Sequence, residues 1–191
     1  MTISFIIIVY FGMFNILIVD NESIHTQEIA LLFPGKNITI CPYNQIPDTK
    51  KYDLIVLSWG SHYSVIQQPS HYKKELILIQ ASKVPILWIC LWCQLIAYAF
   101  ESTLTRMPEK LVKEIEIRNG LDKKDYKVFE AHKYAISALW SELKWVAKSI
   151  YGYEIIRHKT RPIWWFQFHP EVDVAHTQGK KILKDILDLV F

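Results

Sequence analysis

Four short apolar runs, Ile16–Val19, Ile38–Cys41, Leu54–Leu57 and Ile86–Ile89, punctuate the first half of the chain. They are rich in β-branched residues, and such runs, bounded by polar or turn residues, predict strands buried on both faces. Glu22–Phe33, Tyr72–Ser82 and Leu91–Phe100 carry helical composition between or after them. Alternation of this kind predicts an α/β fold, an open and mostly parallel sheet with helices on both faces. Residues 111–170 are richer in strand formers, and Asn119-Gly120 marks a hairpin turn. Ile182, Leu183, Ile186, Leu187 and Val190 recur at helical spacing, which predicts a closing helix over Gly179–Leu189. No repeat, low-complexity tract or linker breaks the pattern, so a single domain is expected.

The first residues fit the pattern least. Ile3 to Phe11 is strongly apolar, and with Ile16–Val19 it approaches a membrane-spanning length, interrupted by Gly12 and Asn15. No basic segment precedes it and no small-residue cleavage site follows, which argues against a signal peptide. Phe14 to Asp20 is better explained as a buried parallel strand than as part of a membrane anchor.

Composition narrows the classes. The chain has 191 residues, 51% of them hydrophobic and 21% charged, as expected of a globular domain rather than a disordered one. A formal net charge of +3 is too mild for a nucleic-acid partner, and Lys50-Lys51, Lys73-Lys74, Lys123-Lys124 and Lys180-Lys181 are scattered rather than striped. Three cysteines, an odd number, argue against a disulfide framework and for a reducing, cytoplasmic compartment.

Candidate chemistry sits in two strings. Cys90 follows the apolar run Ile86–Ile89 where a helix should begin, and Trp165-Phe166-Gln167-Phe168-His169-Pro170-Glu171 comes later. A thiol at a helix N-terminus beside an imidazole becomes a thiolate at neutral pH. If the second string is extended, His169 and Glu171 project from one face, so the carboxylate can orient the ring. Together the strings form a split Cys-His-Glu triad. Cys90-Leu91-Trp92-Cys93 is formally a C-x-x-C pair, but no second cysteine pair accompanies it, so neither redox chemistry nor a metal site is expected there. Cys93 is expected to be packed on the first helical turn, Cys41 to be structural, and His132 to be either near the cleft or a surface histidine.

With these residues the chain resembles the class I glutamine amidotransferases, whose motifs run Gly-Ile-Cys-Leu-Gly-x-Gln and Gln-Phe-His-Pro-Glu. Asn15–Asp20 is similar to the first strand of that family. Asp53-Leu-Ile-Val-Leu-Ser58-Trp59-Gly60 is similar to its oxyanion strand, usually Leu-Ser-Gly-Gly, and Arg157–Ile163 to the approach to the histidine strand. The likeness runs from about residue 14 to residue 190 and implies a flavodoxin-like fold. Because chains of that family begin one or two residues before the first strand, it makes Met13 the expected start and residues 1–12 an extension.

The resemblance implies hydrolysis of L-glutamine, with Cys90 as nucleophile, His169 as base and acid, and Glu171 as orienter. It implies an oxyanion hole at the backbone N–H groups of Leu91 and Gly60, and substrate binding by Gln94. No cofactor is implied for this chain. Ammonia would pass to an ATP-dependent synthetase partner of the ATP pyrophosphatase type, which would use ATP and magnesium. The ending Gln167–Val172, followed by His176-Thr177, looks most like the amidotransferase subunit of GMP synthase, although the histidine–threonine pair lies two residues further out here. Anthranilate and aminodeoxychorismate synthase components share the triad but usually carry Pro-Glu-Ser.

One departure stands out. Trp59, Trp88, Trp92 and Trp165 occupy positions where the family has glycine, in a chain with seven tryptophans and six glycines. Indoles flanking the nucleophile are expected to overpack the elbow by about 1–3 kcal/mol or more each, and to fill the glutamine pocket. Two readings stay open: an inactive regulatory homologue with a plugged pocket, or UGA codons meaning glycine that have been read as tryptophan.

Overall fold

The computed structural model describes residues 14–60, 68–90, 93–172 and 174–190. The proposed extension, Leu91 and Trp92 therefore lie outside the described residues. The strands are β1 (Asn15–Asp20), β2 (Asn37–Pro42), β3 (Leu54–Leu57), β4 (Ile86–Ile89), β5 (Thr103–Asn119), β6 (Asp125–Ala138), β7 (Leu143–Lys148), β8 (Tyr153–His158) and β9 (Ile163–Phe166). The helices are α1 (Thr26–Leu31), α2 (Lys73–Ala81), α3 (Cys93–Ala99) and α4 (Gly179–Val190). No helix among the described residues is long and apolar enough to cross a membrane.

The strands form one nine-stranded sheet in the order β2-β1-β3-β4-β9-β8-β7-β5-β6. β2, β1, β3, β4 and β9 run parallel. From β9 outward every pairing is antiparallel. The sheet is thus mixed, with the antiparallel half built from the region expected to be strand-rich.

Alternation explains how the parallel half is covered. Ile16 and Ile18 of β1 pack with Ile29 of α1 and Ile182, Leu183 and Ile186 of α4 on one face. Leu17 and Val19 pack with Leu78 and Ile79 of α2 and Leu95 of α3 on the other. All four β1 side chains are fully buried, each worth about 1.5–3 kcal/mol of apolar transfer. This is the two-faced burial that the short apolar runs predicted.

Two boundaries moved. The first helix is shorter than Glu22–Phe33, because Glu22 is in the left-handed region at φ 61° and Asp20 accepts from the Ser23 N–H and the Thr26 hydroxyl instead. The Asn119-Gly120 hairpin exists, but its loop spans residues 120–124, closed by the Asn119 N–H donating to the Lys124 carbonyl at 2.9 Å.

Candidate active site

Cys90 is the residue that leaves β4, and its backbone is left-handed at φ 60°. A non-glycine residue pays about 1–3 kcal/mol to hold such a conformation, and positions of this kind cluster at functional sites. The surroundings fix it there. Its N–H donates to the Phe166 carbonyl at 2.7 Å, and its carbonyl accepts from the Trp165 indole at 3.3 Å. The side chain is fully buried. The result is a strand-to-helix elbow, with α3 starting at Cys93.

Because β9 is hydrogen-bonded beside β4, Ile89 against Phe166, the segment after Phe166 emerges at the same sheet edge as Cys90. That edge, at the carboxyl ends of parallel strands, is where open α/β sheets bind ligands. The segment carries His169, whose N–H donates to the Phe129 carbonyl of β6 at 2.9 Å. His169 Nδ1 lies 2.7 Å from Glu171 Oε1, and both side chains are buried. A carboxylate accepts, so Nδ1 carries the proton and the Nε2 lone pair is left to act as a base. Nε2 has no hydrogen-bond partner among the described residues.

The pair is not made as expected. β9 ends at Phe166, and Pro170 and Glu171 form a turn in which the Val172 N–H approaches the His169 carbonyl at 3.4 Å. Pro170 lacks the N–H a ladder would need, so the chain bends and the turn, rather than strand alternation, brings Glu171 back onto the ring.

Gly60 follows β3 at the same edge and is buried. A Cβ there would collide with the Asn21 backbone oxygen, so no other residue fits without moving the loop. Asn21 holds that loop by three bonds: its N–H donates to Ser58 Oγ at 2.9 Å, and its Nδ2 donates to the Ser58 carbonyl and to Glu75 Oε1, each at 3.0 Å. Burial pushes the Glu75 carboxyl up to about 8, against the lowering effect of the Asn21 bond. Sequence reasoning missed Asn21 and Glu75. Their only signal was a lone polar residue after one strand and a carboxylate in a predicted helix.

Gln94 lies in the first turn of α3. Cys41 is buried, and burial, then the charges of Glu75 and Asp20, raise its thiol to about 11, which suits a structural role. His132 is not a surface histidine. It is buried beside Glu130, where strand alternation turns both inward.

The tryptophans divide into two kinds. Trp88 and Trp165 are register partners on β4 and β9, both fully buried in the core on the α2–α3 face. They are accommodated within the sheet packing beneath the elbow instead of forcing it open. Trp59 stands over the base, its ring 5.4 Å from His169 in an edge-to-face arrangement and 5.8 Å from His25. The indole N–H groups of Trp59 and Trp88 have no partner among the described residues.

The family profile Glutamine amidotransferase class-I matches residues 17–189. The glutamine-hydrolyzing GMP synthase subunit of Pyrococcus abyssi is 37% identical, over 91% of this chain and 97% of its own length. That of Methanocaldococcus jannaschii is 31% identical, over 89% and 94%. A solved structure from Thermoplasma acidophilum, described as a GMP synthase subunit, superposes with a TM-score of 0.80 at 26% identity, covering 94% of each chain. A left-handed cysteine at the elbow, a buried histidine–glutamate pair in the turn beyond β9 and these likenesses agree, and the chain belongs to the class I glutamine amidotransferase family.

Proposed function

We propose that this chain is the glutamine-hydrolysing component of a GMP synthase-like enzyme and acts in the cytoplasm. The observation that carries it is the left-handed Cys90 at the end of β4, beside the strand that delivers the oriented His169. His169 Nε2 takes the Cys90 proton as the sulfur attacks the carboxamide carbon of L-glutamine. The oxyanion that forms is stabilised by the backbone N–H of Gly60, with Leu91 as the second donor. His169 then returns the proton to the departing nitrogen, which leaves as ammonia, and a γ-glutamyl thioester remains on Cys90. Water, deprotonated by His169, cleaves the thioester to glutamate. Glu171 keeps the ring in the required tautomer, and Gln94 contributes to holding the substrate.

Full-length similarity to proteins named as subunits of GMP synthase supports a separate synthetase partner. Its proposed type is an ATP pyrophosphatase that uses ATP and magnesium, while the glutamine hydrolysis proposed for Cys90 and His169 needs no cofactor. The test is ammonia release from glutamine, measured with and without such a partner. Release that depends on Cys90 supports the assignment.

A second reading, a regulatory homologue without activity, is favoured by one observation, the Trp59 ring against His169. No ammonia under either condition, together with partner binding, selects it.

A further inference from the structure

β6 and β8 bring Glu130, His132 and Glu154 together in the interior. Their potential ligand atoms lie within 4.8 Å of one another, and His132 Nε2 is 2.8 Å from Glu130 Oε2. All three are buried, at 0, 3 and 1% exposure. His132 Nδ1 is 2.8 Å from the Tyr134 carbonyl. A carbonyl can only accept, so Nδ1 bears the hydrogen and Nε2 presents a lone pair to the carboxylates. The Glu130 and Glu154 carboxyls lie within hydrogen-bonding reach of each other and His132 Nε2 within reach of Glu130, and no other described residue bonds the Glu130 oxygens, Glu154 Oε2 or His132 Nε2. The other oxygen of Glu154 is anchored by the Ser149 hydroxyl at 2.5 Å.

A second observation points into the same place. Gln167 is 1% exposed, and neither its amide nitrogen nor its oxygen has a partner among the described residues. Its N–H donates to the Glu154 carbonyl at 2.8 Å, continuing the β8–β9 register by one step beyond Ile155 against Phe166. Residues opposite each other in a ladder project their side chains from the same face, so Gln167 and Glu154 share a face.

Converging lone pairs from an imidazole and two carboxylates repel unless positive charge lies between them. We propose that Glu130, His132 and Glu154 form a buried site for one divalent metal ion of the zinc class, with the Gln167 amide oxygen as a fourth donor. The ligand set is right for such an ion: neutral imidazole plus carboxylate oxygens, one donor per side chain, with the histidine tautomer and Glu154 fixed by outer partners. Burial, followed by the charge of Glu130, holds the Glu154 carboxyl well above its ordinary range, and burial lifts Glu130 to about 8.

The test uses full-length protein stripped of metal by chelation and titrated at pH 7 with zinc, then with cobalt(II). Expected are one equivalent of tight binding and a raised thermal midpoint. The cobalt spectrum should show visible ligand-field bands without the strong near-ultraviolet band of a thiolate ligand. Glu154→Gln and Glu130→Gln should each weaken binding about 100-fold or more. Without metal both variants should melt no lower than the parent at pH 8, since a neutral amide replaces a buried carboxyl, so lost binding is not lost folding. Absence of saturable binding, unchanged affinity in both variants, or a thiolate band would each overturn the proposal. The first of these leaves a cluster held together by shared protons.

Discussion

The edge of one aromatic ring meets the face of the other where Trp59 approaches His169, centroids 5.4 Å apart and planes at 85°. The imidazole is already fixed on its other side by Glu171. Trp59 is thus the one described tryptophan placed to control access to the base, and its removal tests the site most directly.

Trp59→Gly should expose His169 and raise the rate at which a glutamine-mimicking electrophile labels Cys90, read by intact mass. Its stability should fall modestly, since Trp59 is only partly buried. Trp88→Gly and Trp165→Gly should each cost about 3–5 kcal/mol, because they empty fully packed core positions. Equal labelling of the parent and Trp59→Gly proteins would remove Trp59 as an obstacle.

The coding sequence offers an independent check. Buried indoles normally find an acceptor for their N–H, yet those of Trp59 and Trp88 have none among the described residues. UGA at positions 59, 88, 92 and 165 would restore glycine to all four. UGG at all four would establish the tryptophans as encoded.

Cys90→Ala should abolish glutamine hydrolysis while leaving the unfolding midpoint within a few degrees of the parent. Glu171→Gln should retain Cys90 labelling but lower turnover by about 10²–10⁴, the usual worth of a well-oriented general base. Residual ammonia release from Cys90→Ala at the parent rate would move the nucleophile elsewhere.

Gly60→Ala should be damaging out of proportion to one methyl group. The added Cβ meets the Asn21 carbonyl, so the loop must shift, at a cost of about 1–3 kcal/mol. A displaced oxyanion donor lowers turnover by about 10²–10³. Circular dichroism with steady-state kinetics separates the two effects.

Stability should fall as pH rises. The folded Glu75 carboxyl is lifted from 4.5 to about 8, so across that interval the native state holds a proton that the unfolded chain has lost. Its contribution is complete below about 4.5 and is lost as pH climbs through about 8, at up to about 1.4 kcal/mol per pH unit. Glu130 and Glu154 act with the same sign in metal-free protein. Denaturant titrations of Glu75→Gln should show a shallower decline over this range, and an unchanged slope would mean Glu75 is ionised in the native state.

Much of this was legible in the residues. The runs at Ile16, Leu54 and Ile86 declared buried parallel strands because each is apolar on both alternating sets. Cys90 and His169 were visible because their neighbours form contiguous motifs. What stayed hidden depended on pairing across long separations. Glu75 reads as one more helix carboxylate until Asn21 is folded over it. His132 reads as either a cleft or a surface histidine until β6 and β8 enclose it with Glu154. The His169–Glu171 pair was found with the wrong geometry, because Pro170 turns the chain where simple alternation would have continued.

The position of β9 governs when the protein can acquire its chemistry. This strand, the last of the nine described strands in chain order, is inserted between β4 and β8 and joins the two halves of the sheet. The carbonyl that anchors the Cys90 elbow belongs to Phe166, at its end. Until Ile163–Phe166 leaves the ribosome, the nucleophile has no fixed backbone and no base. Assembly is therefore ordered by synthesis, and long-range closures of this kind are slow compared with local ones. A nascent amidotransferase of this design stays silent until β9 and the segment that follows it have been made.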